Sequence, residues 1–223
     1  MQLNLNRQII LTFIILVLTV LFFQFTTVDE KVQNLFYDFS THKWILDRDA
    51  QPYKFIFYDG LKKFLIVVGI GFLISMFLKR FKSYKKALMI VVFSAILVPV
   101  VVGGLKKYTN MPCPKNRVEY GGTYPHTYIW QHYPKDFKKS KTRCWPAGHA
   151  SGGFALMSLF FLFKSRRNKL LGLVFGISLG WMMGLYKMFI GDHFLSHTVI
   201  TMILAWFVIV VIARIIYGKV YRI

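Results

Sequence analysis

The sequence predicts an all-α fold, a polytopic membrane bundle of six transmembrane helices that forms one domain over residues 1–223. Three observations predict it. Of the 223 residues 55% are hydrophobic and 17% charged, more apolar and less charged than a soluble domain of this length. Six apolar runs, at 9–25, 64–78, 87–105, 149–163, 170–190 and 198–216, approach or exceed the ~18 to 20 residues that a helix needs to cross a bilayer. Basic clusters recur in every second connection between those runs.

Run 9–25 follows the polar start "MQLNLNR" and ends in "FQFTTVDEK" without a small-x-small cleavage site, so it reads as an uncleaved first span, not a secretion signal. Residues 27–60 are mixed in charge and aromatic, which predicts a short amphipathic segment on the outer surface. Run 64–78 is short and crosses only if flanking residues join its helix. Run 87–105 is long enough alone. The connection 106–148 is basic and rich in Tyr, Pro and Gly, long enough to be functional. Run 149–163 is again short and opens on "CWPAGHASGG", a proline, a histidine and three glycines at the mouth of an apolar segment. Runs 170–190 and 198–216 complete the set. No internal repeat or low-complexity tract interrupts the domain.

The formal charge of +20 divides into two parts. Arg7, "KRFKSYKK" (79–86), "KSRRNK" (164–169) and the tail "YGKVYRI" all fall on one side of a six-span chain, which the positive-inside rule makes cytoplasmic. That rule gives no reason for Lys106, Lys107, Lys115, Arg117, Lys135, Lys138, Lys139, Lys141 and Arg143 in the opposite loop. Nucleic acid is an improbable partner for a loop between spans. An anionic ligand, or the anionic headgroups of membrane lipids, fits better; a merely solvated basic loop is the other reading.

Three histidines stand at span ends on that outer side. His149 opens the fourth run, and His193 and His197 open the sixth, four apart and so on one helical face. "HFLSH" would suit two-histidine metal ligation, but the glutamate of HExxH is missing and no Asp, Glu or Cys cluster accompanies it. Histidines that only bond a backbone carbonyl are a further reading. Together with a lysine-rich loop, the three favour phosphate chemistry. One imidazole can attack phosphorus, a second can orient it, and a third can protonate the leaving oxygen.

"K-x-x-x-x-x-x-C-P" (106–114), "PAGH" (146–149) and "K-x-x-x-x-x-H-x-x-x-H" (187–197) resemble the three signature blocks of the type 2 phosphatidic acid phosphatase superfamily, in order and at one membrane face. The resemblance implies that family's six-helix bundle, with the blocks inside 106–197. It implies His193 as the nucleophile that forms a phosphohistidine and His149 as the acid that protonates the leaving group. His197 falls where the family usually has the aspartate behind the nucleophile. Lys106 and Gly148 match the lysine and the backbone donor that hold phosphate oxygens. No metal or other cofactor is required in that mechanism.

The chain departs from the pattern at Cys113 and Lys187, where the family has arginines, and at Ala147, where it has a serine. Lysine keeps the charge of Lys187's position but not the bidentate fork. Arg143 and Arg117 are candidates to restore that function, and Ser151 to restore the hydroxyl. Cys113 and Cys144 share the outer loop, where an oxidising periplasm permits a disulfide closing roughly 30 residues; two unpaired thiols are the other reading. The implied protein is a bacterial inner-membrane phosphatase acting at the periplasmic face on a phosphorylated lipid, a phosphate monoester or pyrophosphate. A lipid phosphotransferase and a non-catalytic anionic-lipid transporter are the alternatives.

Overall fold

The computed structural model describes residues 2–134, 136, 137, 140 and 142–222, so Lys135, Lys138, Lys139 and Lys141 lie outside the described residues. Seven α-helices are described: α1 (Leu5–Phe25), α2 (Val28–Asn34), α3 (Leu61–Ser75), α4 (Lys85–Tyr108), α5 (Gly148–Ala155), α6 (Arg166–Phe189) and α7 (Leu195–Tyr217). The Asn4 side chain caps α1 by accepting from the Arg7 N–H at 3.1 Å, and the Ser165 hydroxyl caps α6 by accepting from Asn168 at 3.2 Å. Each cap satisfies one N–H that the first turn leaves without a partner.

Among the described residues four helical stretches are long and apolar enough to cross a membrane: Leu5–Phe25, Lys79–Tyr108, Arg166–Phe189 and Leu195–Tyr217. The expectation of six such helices is thus met at four places. The other two apolar runs are helical but broken in type. A π-helical turn, Phe55–Gly60, runs straight into α3, and α5 tightens into a 3₁₀ segment at Leu156–Phe161.

Helix α7 is the axis of the bundle, packed by α1, α4 and α5. Half of its apolar window is buried, against 17% for α1. The outward residues of α1 and α3, among them Ile10, Phe13, Leu18, Ile66 and Ile70, are large, apolar and exposed, as a lipid-facing surface requires. At one end of the bundle strands β1 (Gln2–Asn4) and β4 (Val220–Arg222) pair antiparallel, Leu3 opposite Tyr221. Basic segments 79–84 and 164–169 are at that same end, with the Lys164 ammonium 4.9 Å from the Tyr84 ring centroid.

At the other end, the expected surface segment takes a different form. Helix α2 buries the polar Asp29 and Gln33, so it docks onto the bundle through hydrogen bonds and not through an apolar stripe. A two-residue hairpin follows, β2 (Tyr37–Asp38) with β3 (Lys43–Trp44).

The seam between α5 and α6 is made by glycine. Gly172, Gly176, Gly180 and Gly184 recur every fourth residue on one face of α6, the small-residue spacing that lets membrane helices approach closely. A Cβ at Gly176 would lie 2.3 Å from the Met157 backbone nitrogen, and one at Gly180 would lie 2.1 Å from the Phe154 ring. Backbone cannot yield as a side chain can. Gly176→Ala should therefore cost about 3 kcal/mol, the upper end for overpacking, read as a drop of several degrees in the thermal midpoint of purified protein in detergent. Gly69→Ala on α3, where a Cβ meets nothing within 4 Å, is the control. An unchanged midpoint for Gly176→Ala would mean that the helices do not approach this closely.

Candidate active site

The histidines meet where the ends of α4, α5, α6 and α7 converge. After α6 the chain turns sharply: the Lys187 carbonyl accepts from both Asp192 N–H (2.8 Å) and His193 N–H (3.2 Å). Gly191 has φ +70°, and a Cβ there would lie 2.3 Å from the Trp44 ring, so both backbone and space require glycine. The turn delivers Asp192 and His193 immediately before α7.

His193 and His197 are buried, with their Nδ1 atoms 3.2 Å apart. One of the two must donate, so a bond through His193 Nδ1 leaves its Nε2 as the free nitrogen. His197 Nε2 is buried and makes no hydrogen bond within normal geometry, and the Cys144 backbone faces that ring. Burial first, then the positive neighbours, hold the His193 pKa well below its ordinary value, which keeps the imidazole neutral with a lone pair available at neutral pH. The starts of α5 and α7 are stitched together. Ala147 N–H donates to the Thr201 hydroxyl at 2.8 Å, and that hydroxyl donates to the His197 carbonyl at 2.6 Å.

His149, in the first turn of α5, has its ring centroid 6.5 Å from that of His193. Its Nε2 is 3.0 Å from the hydroxyl of Tyr58, carried by the π-helical turn before α3. The Lys187 ammonium lies 4.2 Å from the Tyr58 ring centroid. A Cβ on Gly148 would lie 3.3 Å from Lys106 Nζ, so the ammonium sits against the opening residue of α5. That helix start has no side-chain cap, which leaves first-turn N–H groups for an anion.

Asp192 ties the cations together. Lys187 Nζ donates to its Oδ2 at 3.0 Å, Lys115 Nζ lies 2.9 Å from its Oδ1, and Arg48 bonds the same Oδ1. Burial pushes this carboxyl up, but Lys187 and Lys115 outweigh it and hold the pKa below its usual value, so it is ionised at neutral pH.

The structure brings His149, His193, His197, Lys106, Gly148 and Lys187 together. It does not bring the other named residues to the same point. Arg117 is 4% exposed and committed to two carboxylates, with Nη1 to Glu30 at 2.7 Å and Nη2 to Glu119 at 2.6 Å. Its guanidinium also lies 5.3 Å from the Phe194 ring centroid, which ties it to the residue just before α7. Arg143 is exposed with φ 48° and makes no ion pair among the described residues. Ser151 is buried and donates to the Gly148 carbonyl at 2.6 Å; its hydroxyl is spent on backbone. Cys113 and Cys144 are disulfide-linked, with Cα atoms 5.2 Å apart, which joins the first block to the stretch before the second.

The sequence reading missed Tyr58, Asp192, Arg48 and Lys115 as members of this cluster, and also the residue that positions α7. Asp29 of α2 accepts from the Ser196 N–H at 2.7 Å and from its hydroxyl, capping the helix that carries His197. Burial lifts the Asp29 carboxyl to about 7, against the lowering effect of its bonds to Ser196. Among the described residues no group of three or more His, Cys, Asp or Glu side chains is placed to hold a metal ion.

An apolar cavity of about 490 Å³ opens beside His149, between α3, α4 and α5. Leu65, Ile66, Ile70, Val92, Ile96 and Pro99 line it together with Gly148 and His149.

A family model described as the PAP2 superfamily matches residues 87–221, which is more than half of the chain and holds all three histidines. Neither the curated proteins nor the solved structures compared with the chain give a match.

Proposed function

The chain belongs to the PAP2 superfamily, a family of phosphatases, and from that premise we propose that it removes a phosphate from a lipid at the periplasmic face of the inner membrane. The observation that carries the reading is the junction of two unlike environments at His149: a cationic three-histidine cluster on one side and an apolar cavity on the other. A substrate with a charged phosphate and a bilayer-embedded tail matches both.

Six segments cross the membrane in this reading. The turn at Phe55–Gly60 continues through α3 for about 31 Å of helix at 1.5 Å per residue, and α5 with its 3₁₀ extension forms a shorter span packed inside the bundle. The basic segments 79–84 and 164–169 are at the end opposite the histidines, which supports the periplasmic orientation by the positive-inside rule.

In the first step Nε2 of His193 attacks phosphorus while its Nδ1–H donates to His197. The bond from phosphorus to the lipid oxygen breaks, and that oxygen takes a proton from His149. Lys106, Lys187 and the first-turn N–H groups of α5 stabilise the charge on the phosphoryl oxygens. In the second step water, giving its proton to His149, attacks the phosphohistidine. The P–N bond breaks, inorganic phosphate leaves, and His193 is neutral again.

Filling the cavity tests the lipid assignment. Ala95→Trp, on its α4 wall, should lower kcat/KM for long-chain lipid phosphates by at least about tenfold, some 1.4 kcal/mol. Hydrolysis of a short soluble phosphate monoester should change little. Equal losses on both substrates would remove the tail-binding role. Binding of lipid phosphates without any phosphate release would favour the transporter, and transfer to an acceptor lipid would favour the phosphotransferase.

A further inference from the structure

Three cations converge on the single carboxylate of Asp192, next to the nucleophile. Lys187 and Lys115 lie 3.0 and 2.9 Å from its oxygens and Arg48 bonds it as well. Three positive charges against one negative leave two in excess, at a carboxylate whose side chain is only 14% exposed. A phosphate monoester dianion at His193 would bring the two missing charges.

Arg48 comes from far away in sequence, and its backbone is fixed independently of its side chain. The Tyr186 hydroxyl donates to the Arg48 carbonyl at 3.2 Å, and Leu46 N–H donates to the Phe189 carbonyl at 3.4 Å. Trp44 packs on Gly191. Residues 44–48 therefore form a strap across the turn that bears Asp192 and His193. The guanidinium, 46% exposed, can swing from carboxylate to ligand without moving the strap. It is also an arginine paired with the residue next to the nucleophile, in a chain whose first and third blocks hold Cys113 and Lys187. A guanidinium offers the two parallel N–H donors that phosphate oxygens accept and that lysine lacks.

Resting on the phosphatase reading above, we infer that Arg48 is a substrate-phosphate ligand supplied by the first outer loop, with Asp192 keeping it, Lys115 and Lys187 gathered until the phosphate arrives.

The test compares wild type, Arg48→Gln, Arg48→Lys and Lys54→Gln in detergent-purified full-length protein. Lys54, a partly exposed cation that pairs with Asp49, is outside the site. Two quantities are read: competitive inhibition of lipid-phosphate hydrolysis by inorganic phosphate, and the rise in thermal midpoint that inorganic phosphate produces. Arg48→Gln should raise KM and the inhibition constant about tenfold, the lower range for a charge-assisted hydrogen bond that is half solvated, with kcat changed far less. Its phosphate-induced midpoint shift should shrink. Arg48→Lys should recover part of the loss, and Lys54→Gln should match wild type. If Arg48→Gln does not fold, Arg48→Lys keeps the ion pair and still reads the missing fork. Equal inhibition constants and equal midpoint shifts in wild type and both Arg48 variants would overturn the assignment, as would lower stability with phosphate binding intact. If wild type hydrolyses no lipid phosphate, the phosphatase reading fails, and the midpoint shift alone still decides whether Arg48 binds the anion.

Discussion

His193→Ala is expected to abolish turnover, with a loss on the order of 10⁴-fold or more, the scale seen when a covalent nucleophile is removed. Two features of the site concentrate the effect on this residue. The first is that the Nδ1–Nδ1 contact of 3.2 Å with His197 occupies one nitrogen and leaves Nε2 for phosphorus. The second is burial, which holds the ring neutral. No other described side chain combines a free nitrogen with that position between Lys106, Lys187 and His149. Rapid quench with labelled substrate under alkaline conditions, where a phosphohistidine survives, should trap phosphate on wild type and none on His193→Ala. His197→Ala should still form the adduct, more slowly, because His197 orients the nucleophile without bonding phosphorus. His197→Asp, with a fixed negative charge behind the ring, should retain activity. A fully active His193→Ala variant would end the phosphohistidine mechanism.

The histidine cluster was legible in the sequence because its spacing is local: His197 is four positions after His193, and one helix start carries His149. The apolar runs were legible for a similar reason, since hydropathy accumulates along a continuous stretch. What local pattern could not give was partnership across the chain. Arg48 and Asp192 are 144 residues apart, Asp29 and Ser196 are 167 apart, and neither pair has a periodicity that announces it. Arg117 shows the same limit. It was a candidate to restore the missing arginine function, but Glu30, 87 residues away on α2, pairs with its guanidinium. The two shortened spans have a physical reason as well. Lys62 and Lys63 in α3 and the glycines of α5 reduce length and hydropathy where these helices border the cavity and α6, so neither reads as a free-standing span.

His149→Ala is expected to cost about 10² to 10⁴ in kcat/KM on an alkyl phosphate, the usual range for losing a general acid. On an aryl phosphate with a good leaving group it should cost far less, within about tenfold. An alkoxide is too basic to depart unprotonated, so the proton from His149 lowers the barrier directly. A phenolate carrying electron-withdrawing groups departs without one, and the attack by His193 then sets the rate. The neighbours of His149 sharpen the expectation. Tyr58 bonds its Nε2 at 3.0 Å and fixes the ring, so the loss reflects a placed proton donor and not a general gain of water. Tyr58→Phe should lie between wild type and His149→Ala on the alkyl substrate and near wild type on the aryl one. Plotting log kcat/KM against leaving-group pKa for the three proteins gives the decisive measurement. Wild type should show a shallow slope, and His149→Ala a steep negative one, because uncompensated charge then builds on the leaving oxygen. Parallel lines, with the variant uniformly lower, would mean that His149 acts only in binding and that the leaving oxygen takes its proton elsewhere.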